Sequence, residues 1–89
     1  MEVPQKLKDL AVSESGFVFD PHSGATFSVN ASALVVLQAL KQGCGRASIA
    51  DQLREAFDLT EGDIERDLDE FMHLLRRNSL VPNEFEVEP

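Results

Sequence analysis

The side chains best suited to nucleophilic, acid–base or metal chemistry are few in this chain. They are two histidines, His22 and His73, and a single cysteine, Cys44. His22 lies in a turn signal and His73 on the polar side of a predicted helix, so local spacing pairs neither of them with Cys44 or a serine. A single cysteine also excludes an internal disulfide and a multi-cysteine zinc site. We therefore expect no catalytic residues, no metal ligands and no cofactor.

Carboxylates are abundant, and several share a helix face at i, i+4 spacing. Asp63 and Asp67 form one such pair, and Glu65 and Asp69 form another. Paired carboxylates can serve acid–base catalysis or bind a cation, but a solvated acidic face explains this pattern better, because the pairs continue along one helix. The acids therefore bear on recognition rather than on catalysis.

The acidic residues are concentrated in the second half of the chain. The formal net charge is −8 at pH 7. Residues 1–50 carry four acidic and four basic residues, whereas residues 51–89 carry twelve acidic and four basic residues. Non-specific nucleic-acid binding needs clustered cations that displace phosphate counterions. We therefore expect no nucleic-acid partner.

The length of 89 residues fits one small domain, and 43% hydrophobic residues are enough for a core. We expect a single domain over residues 1–82 and a mobile acidic tail over residues 83–89. No apolar run approaches the roughly 18 residues of a membrane span, and the N-terminus lacks the order of a signal peptide. The expected location is the cytoplasm, with no membrane partner.

Alternating apolar and polar residues predict three strands before residue 30. The first two lie at about 10–13 and 17–19, and the turn signal Asp-Pro-His-Ser-Gly at 20–24 leads to the third. A period of two divides the third strand into two faces, one with Ala25, Phe27 and Val29 and the other with Thr26 and Ser28. The strands should form an antiparallel sheet.

Three helices are predicted to follow the strands. Asn30 is a favoured N-cap for a helix over residues 31–42, and a second helix runs over about 46–57. Thr60 begins a third helix over about 61–77 with a variant of the capping box. The resulting order, β-β-β-α-α-α, predicts an α+β fold of winged-helix type.

The third predicted helix has an unusually wide apolar side, because its apolar residues span an arc of about 160°. Its centre consists of Ile64, Leu68, Phe71 and Leu75. Met72 lies on one flank and Leu74 on the other. The arc is wider than docking to a small core requires, so one flank, at Leu74 or at Met72, is predicted to serve a partner.

The acidic third helix and the sheet edge bear on three possible binding functions. A winged-helix protein that binds DNA or regulates another protein is one alternative, although the acidic third helix would repel phosphate. An acidic acyl carrier is another, but its Asp-Ser-Leu attachment site is absent, since the nearest matches are Ala-Ser-Ile at 47–49 and Asn-Ser-Leu at 78–80. A peptide that adds a strand to the sheet edge beside a helix groove fits the pattern better.

Several segments together resemble the PqqD family. They include Gly-Phe-Val-Phe-Asp-Pro at 16–21, Phe-Ser-Val-Asn-Ala-Ser at 27–32 and Asp-Leu at 67–68, in matching order and spacing. The likeness covers about residues 6–82 and is greatest to the PqqD-like branch associated with HPr-kinase-related proteins. The chain departs from a standard PqqD of PQQ synthesis in its long strand at 17–20, its Gly-Cys-Gly turn at 43–45 and its Glu-rich tail, so the resemblance does not identify the pathway as PQQ synthesis.

This resemblance implies a non-enzymatic peptide chaperone, similar to the recognition elements of pathways for ribosomally made, modified peptides. It implies that a precursor's leader lies as an added strand beside the third strand, in a groove shared with the third helix, and is presented to a modifying enzyme. That enzyme is expected to be a radical SAM enzyme or an HPr-kinase-related protein, and the exposed sheet edge could also support a homodimer. The peptide-binding residues implied are Ala25, Thr26, Phe27, Ser28, Val29, Asp67, Glu70, Phe71 and Leu74. Asp67 and Glu70 would favour a peptide that carries Lys or Arg.

Overall fold

A computed structural model describes residues 3–89 and shows an α+β fold. The elements are α1 (Gln5–Asp9), β1 (Ala11–Val12), β2 (Phe17–Phe19), β3 (Thr26–Ser28), α2 (Ala31–Lys41), α3 (Arg46–Ala56) and α4 (Glu61–Arg77). The predicted sheet followed by three helices is confirmed, whereas its winged-helix character stays a prediction.

The sequence pattern does not predict the short helix α1. It spans five residues and buries only Leu7. Such a short helix shows no repeating apolar pattern, so no periodicity could predict it. Its position depends on tertiary contacts, because Leu7 is fully buried in the core.

The sheet is antiparallel in the order β1-β2-β3, which leaves β3 at one edge. Val18 in β2 pairs with Phe27 in β3, and both side chains face the helices. Phe17 pairs with Ser28 and Phe19 with Thr26, and all four residues are exposed. Phe17, Phe19 and Thr26 line the outer face of the sheet. The predicted alternation along the third strand is therefore confirmed for Thr26, Phe27 and Ser28.

The entry to β2 requires glycine at position 16. Gly16 has a φ of +93°, and an added Cβ would lie 2.5 Å from the carbonyl oxygen of Val29. The N–H of Val29 donates to the Gly16 carbonyl oxygen at 2.8 Å, so the backbone segments before β2 and after β3 lie close together here. A side chain at position 16 would push away the chain that leaves β3.

The helices α2 and α4 begin at the caps that the sequence predicts. The side chain of Asn30 accepts a hydrogen bond from the N–H of Ala33 at 2.8 Å, which caps α2. At α4, the hydroxyl of Thr60 accepts from the N–H of Asp63 at 3.1 Å, and the Asp63 carboxylate accepts from the N–H of Thr60 at 3.3 Å. Both caps satisfy backbone donors that the first helical turn leaves without intrahelical partners.

One apolar core connects the sheet and all four helices. Its fully buried large side chains are Leu7, Leu10, Val18, Val36, Leu37, Leu40, Ile49, Leu53, Ile64, Leu68 and Leu75. Every helix and β2 contribute to this set. Within residues 3–89, no helix is both long and apolar enough to cross a membrane.

The C-terminal tail contacts this core. Phe85 and Val87 are half-buried against it, and the N–H of Arg46 donates to the Glu88 carbonyl oxygen at 2.5 Å. The guanidinium of Arg76 donates to the Phe85 carbonyl oxygen at 2.8 Å. The domain boundary at residue 82 and the mobility of the tail stay predictions.

Candidate functional site

A groove of about 300 Å³ lies where the end of β3, the start of α2 and the middle of α4 meet. Its lining residues are Ser28, Val29, Asn30, Ser32, Ala33, Asp67, Glu70, Phe71 and Leu74. Six of these are among the nine predicted site residues: Ser28, Val29, Asp67, Glu70, Phe71 and Leu74. The structure thus brings together most of a site whose halves lie about forty residues apart in the sequence.

The other three predicted site residues do not line the groove. Ala25 is exposed, and its carbonyl oxygen accepts from the N–H of Asp20 at 2.9 Å. The side chain of Thr26 lies on the outer face of the sheet, and that of Phe27 packs against the core. Side chains alternate along a strand, which accounts for the opposite directions of Thr26 and Phe27. An edge strand can still offer its backbone to a partner at residues whose side chains point elsewhere.

Three groove residues are not predicted from the sequence, namely Asn30, Ser32 and Ala33. From the sequence, Asn30 is predicted only as a helix cap. The Asn30 side chain accepts from both the Ala33 N–H and, at 3.0 Å, the Ser32 hydroxyl. The signal for these residues was their position, because the first turn of α2 follows directly on β3 and must lie beside its end.

The backbone of β3 presents hydrogen-bonding groups at a free sheet edge. The N–H of Asp20 donates to the Ala25 carbonyl oxygen, and the N–H of Val29 donates to the Gly16 carbonyl oxygen. Hydrogen-bonded and non-hydrogen-bonded pairs alternate in an antiparallel ladder, so Phe27 also bonds towards β2. The N–H and C=O groups of Thr26 and Ser28 therefore point away from β2, towards the free edge beside the groove.

The wall that α4 contributes is apolar at its base. Phe71 is 6% exposed, and Leu74 is half-buried at the groove. On the opposite flank of α4, Met72 is 3% exposed and lines a cavity together with Val87 of the tail. Of the two flanks that the sequence left open, the structure places Leu74 in the groove and Met72 beneath the tail.

Arginines neutralise most acids of α4, but not those at the groove. Arg46 pairs with Glu65 and Asp69 at 2.6 and 3.0 Å. Arg54 pairs with Glu61 at 2.6 Å, and Arg66 pairs with Asp63 at 3.0 Å.

The two groove acids have weaker partners or none. Asp67 lies 3.9 Å from the guanidinium of Arg66. Glu70 makes neither an ion pair nor a hydrogen bond with any side chain in the described part of the chain. Since the other carboxylates of α4 are engaged, the negative charge available to a partner lies at the groove.

The two histidines and the cysteine lie outside the groove. His22 bonds to the Asp9 carboxylate at 2.7 Å and thereby ties the β2–β3 turn to α1. This hydrogen bond is the main cause that lowers the pKa of Asp9 below its ordinary value. Cys44 is half-buried near the side chain of Gln52. Among residues 3–89, no three His, Cys, Asp or Glu side chains cluster in a way that could hold a metal ion.

Comparison with known proteins agrees with the fold. The family model for coenzyme PQQ synthesis protein D (PqqD) matches residues 16–81. No curated protein sequence matches the chain significantly.

Two solved structures are similar to the chain. One is lasso peptide synthetase B1 complexed with the leader peptide, which is 27% identical over 78% of this chain and 82% of that chain, with a TM-score of 0.64. The other is TbiB1 in complex with the TbiA(beta) leader peptide, which covers 97% of this chain and 100% of that chain with a TM-score of 0.75. Its identity of 18% makes this second likeness one of fold alone.

Proposed function

The chain belongs to the PqqD family, and we propose that it binds the leader segment of a precursor peptide by strand addition to β3 and presents that precursor to a modifying enzyme. The likeness to a lasso peptide synthetase B1 solved with a leader peptide supports this function. Such a role requires recognition and positioning, not catalysis by this chain.

The observation that carries the proposal is the free edge of β3 beside an apolar groove. Thr26 and Ser28 together offer two N–H and two C=O groups to an incoming strand. Each hydrogen bond would contribute about 0.5–1.5 kcal/mol to binding. Alternate side chains of the peptide would then face the groove, where Phe71 and Leu74 offer an apolar contact.

The charge of the groove indicates what kind of peptide it accepts. Asp67 and Glu70 line the groove and have little neutralisation from arginines. A Lys or Arg in the peptide, close to an apolar residue that reaches Leu74, would complement this surface. Both acids are accessible to solvent, so affinity should fall as added salt screens the attraction.

The family resemblance also indicates the class of the partner enzyme. Following the family resemblance, we propose a radical SAM enzyme or an HPr-kinase-related protein, in the cytoplasm. A homodimer through the β3 edge would compete with the peptide for the same backbone groups, so peptide binding and this dimer should exclude each other.

The test uses randomised peptides displayed on phage and selected on the full chain. A selected peptide serves as the probe for two variants, Ser28→Pro and Ser28→Ala. Proline at position 28 removes an N–H that points to the free edge and costs no bond to β2, and edge strands tolerate such a proline. Alanine at the same position removes only the hydroxyl.

We expect Ser28→Pro to weaken peptide binding about three- to tenfold, as the loss of one hydrogen bond predicts, while Ser28→Ala stays within about twofold of the unmodified chain. Circular dichroism checks that both variants are folded. A folded Ser28→Pro variant that binds the selected peptide normally would contradict strand addition at β3.

A further inference from the structure

The outer face of the sheet exposes two aromatic side chains to solvent. Phe17 is 63% exposed and Phe19 is 42% exposed. Together with Ala11, Val12 and Thr26 they line a shallow cavity of about 450 Å³. None of the residues that line this cavity is charged, although 27% of the chain is. The two exposed phenylalanines and their uncharged neighbours thus form one aromatic patch on the outer face.

The patch is continuous with the proposed peptide edge. Phe19 pairs across the sheet with Thr26, and Phe17 pairs with Ser28. A peptide strand added to β3 would lie about 4.8 Å beyond it, with every second side chain on the outer face. Those side chains would extend the patch formed by Phe17 and Phe19 into one four-stranded surface.

The size of the patch argues against a second copy of the chain as its occupant. Three strands of about three residues each give a face of roughly 14 Å by 10 Å, or about 150 Å². A stable interface needs about 800 Å² from each partner. The patch by itself is therefore too small for a stable dimer, whereas a partner that also contacts the bound peptide gains the missing area.

We propose that Phe17 and Phe19 form the docking surface for the modifying enzyme, which contacts them together with the outward side chains of the peptide on β3. This inference rests on the proposed function. The enzyme would present an apolar, uncharged surface, and it would bind the peptide-loaded chain more tightly than the empty chain. Its binding should depend little on salt, unlike the binding of the peptide in the acidic groove.

The test places the photo-cross-linker p-benzoylphenylalanine at Phe17 of the full chain in its native cells. The matched control carries the same cross-linker at His73, which is exposed on α4. Mass spectrometry identifies the captured protein. The purified captured protein is then titrated with the chain in the presence and in the absence of the selected peptide.

We expect position 17, but not position 73, to capture a protein that binds the peptide-loaded chain more tightly than the empty chain. Adding Ser28→Pro should lower this capture at least about fivefold, because the composite surface is then lost. Capture of a second copy of the chain, equal capture from both positions, capture that Ser28→Pro leaves unchanged, or no capture would each overturn the inference.

A second measurement separates this inference from the proposed function. Phe17→Ser and Phe19→Ser should leave the affinity for the selected peptide within about twofold, while binding of the captured enzyme weakens at least about tenfold. If peptide binding follows the proposed function but the enzyme binds both variants normally, only the docking surface is wrong. If Ser28→Pro does not impair peptide binding, the proposed function itself fails.

Discussion

The two flanks of α4 carry similar apolar side chains but differ in what covers them. On one flank, Met72 is buried and lines a cavity with Val87 of the C-terminal tail. On the other flank, Leu74 is half-buried at the groove beside β3. Part of the same chain therefore covers one flank, whereas the other remains accessible.

The charges beside the two flanks differ, because arginines balance the acids at the covered flank, whereas only acids lie at the open flank. Arg46 and Arg76 lie at the covered flank, and both donate hydrogen bonds to backbone carbonyls of a tail that contains Glu84, Glu86 and Glu88. Asp67 and Glu70 lie at the open flank. At the covered flank, α3 and α4 thus hold the tail through hydrogen bonds to its carbonyl groups and through its half-buried apolar side chains. The open flank, which carries Asp67 and Glu70, is suited to a segment with positive charge.

The largest expected effect is on the covered flank. Met72→Ala should lower the free energy of unfolding by about 2–4 kcal/mol, because it removes a buried side chain and leaves a cavity. The affinity for the selected peptide should stay within about twofold, since Met72 does not line the groove. Urea denaturation and peptide titration measure the two quantities. A large loss of affinity in the folded variant would show that the flanks are not independent.

Leu74→Ala should show the reverse pattern. We expect peptide affinity to fall about tenfold, or about 1.4 kcal/mol, because an apolar contact in the groove is lost. Stability should fall by less than in Met72→Ala, since Leu74 is only half-buried. Unchanged affinity would remove Leu74 from the site.

Val87→Ala tests the cover itself. Removing part of a half-buried side chain should cost about 1 kcal/mol of stability, measured by urea denaturation. Amide exchange should increase in the tail, while peptide affinity stays unchanged. If affinity instead rises, the tail and the peptide compete for α4.

Two neighbouring acids distinguish the flanks by charge. Glu70→Gln should weaken binding of a Lys-containing peptide about threefold and reduce its dependence on salt. Asp69→Asn is the matched control, because Asp69 pairs with Arg46 on the covered side. Titrations at low and high salt measure both variants. If both substitutions weaken peptide binding equally, the overall negative charge of α4, and not a contact with Glu70, attracts the peptide.

The smallest expected effect is on the pH dependence of stability. It concerns both flanks, because both belong to α4, whose first turn Asp63 caps. Hydrogen bonds from Thr60 hold the pKa of Asp63 below its ordinary value of 3.8. The stability that this carboxylate contributes is present above pH 3.8 and is lost as the pH falls through the lowered pKa. Asp63→Asn should therefore show a shallower loss of stability in acid, followed by circular dichroism. An unchanged acid profile would exclude Asp63 as a contributor.

The sequence predicted the regular elements well because their signals are local. The caps at Asn30 and Thr60 and the alternation along β3 depend on residues close together in the chain, and the structure confirms them. The apolar arc of α4 predicted that one flank serves a partner, but not which one. That choice depends on the tail, whose contact with α4 has no periodic signal.

The remaining differences also come from long-range contacts. The hydrogen bond between His22 and Asp9 joins a turn to α1, and no sequence pattern indicates such a pair. The groove residues Ser32 and Ala33 become part of the site only because α2 starts beside α4. The sequence could therefore predict the walls of the groove from β3 and α4, but not the corner that α2 contributes.

The most direct test of strand addition is amide hydrogen exchange of the full chain with and without the selected peptide. The N–H groups of Phe27 and Val29 already point towards β2, whereas those of Thr26 and Ser28 point to the free edge. We predict that the peptide slows exchange at Thr26 and Ser28 and changes it little at Phe27 and Val29. Unchanged exchange at Thr26 and Ser28 with the peptide bound would contradict strand addition at β3.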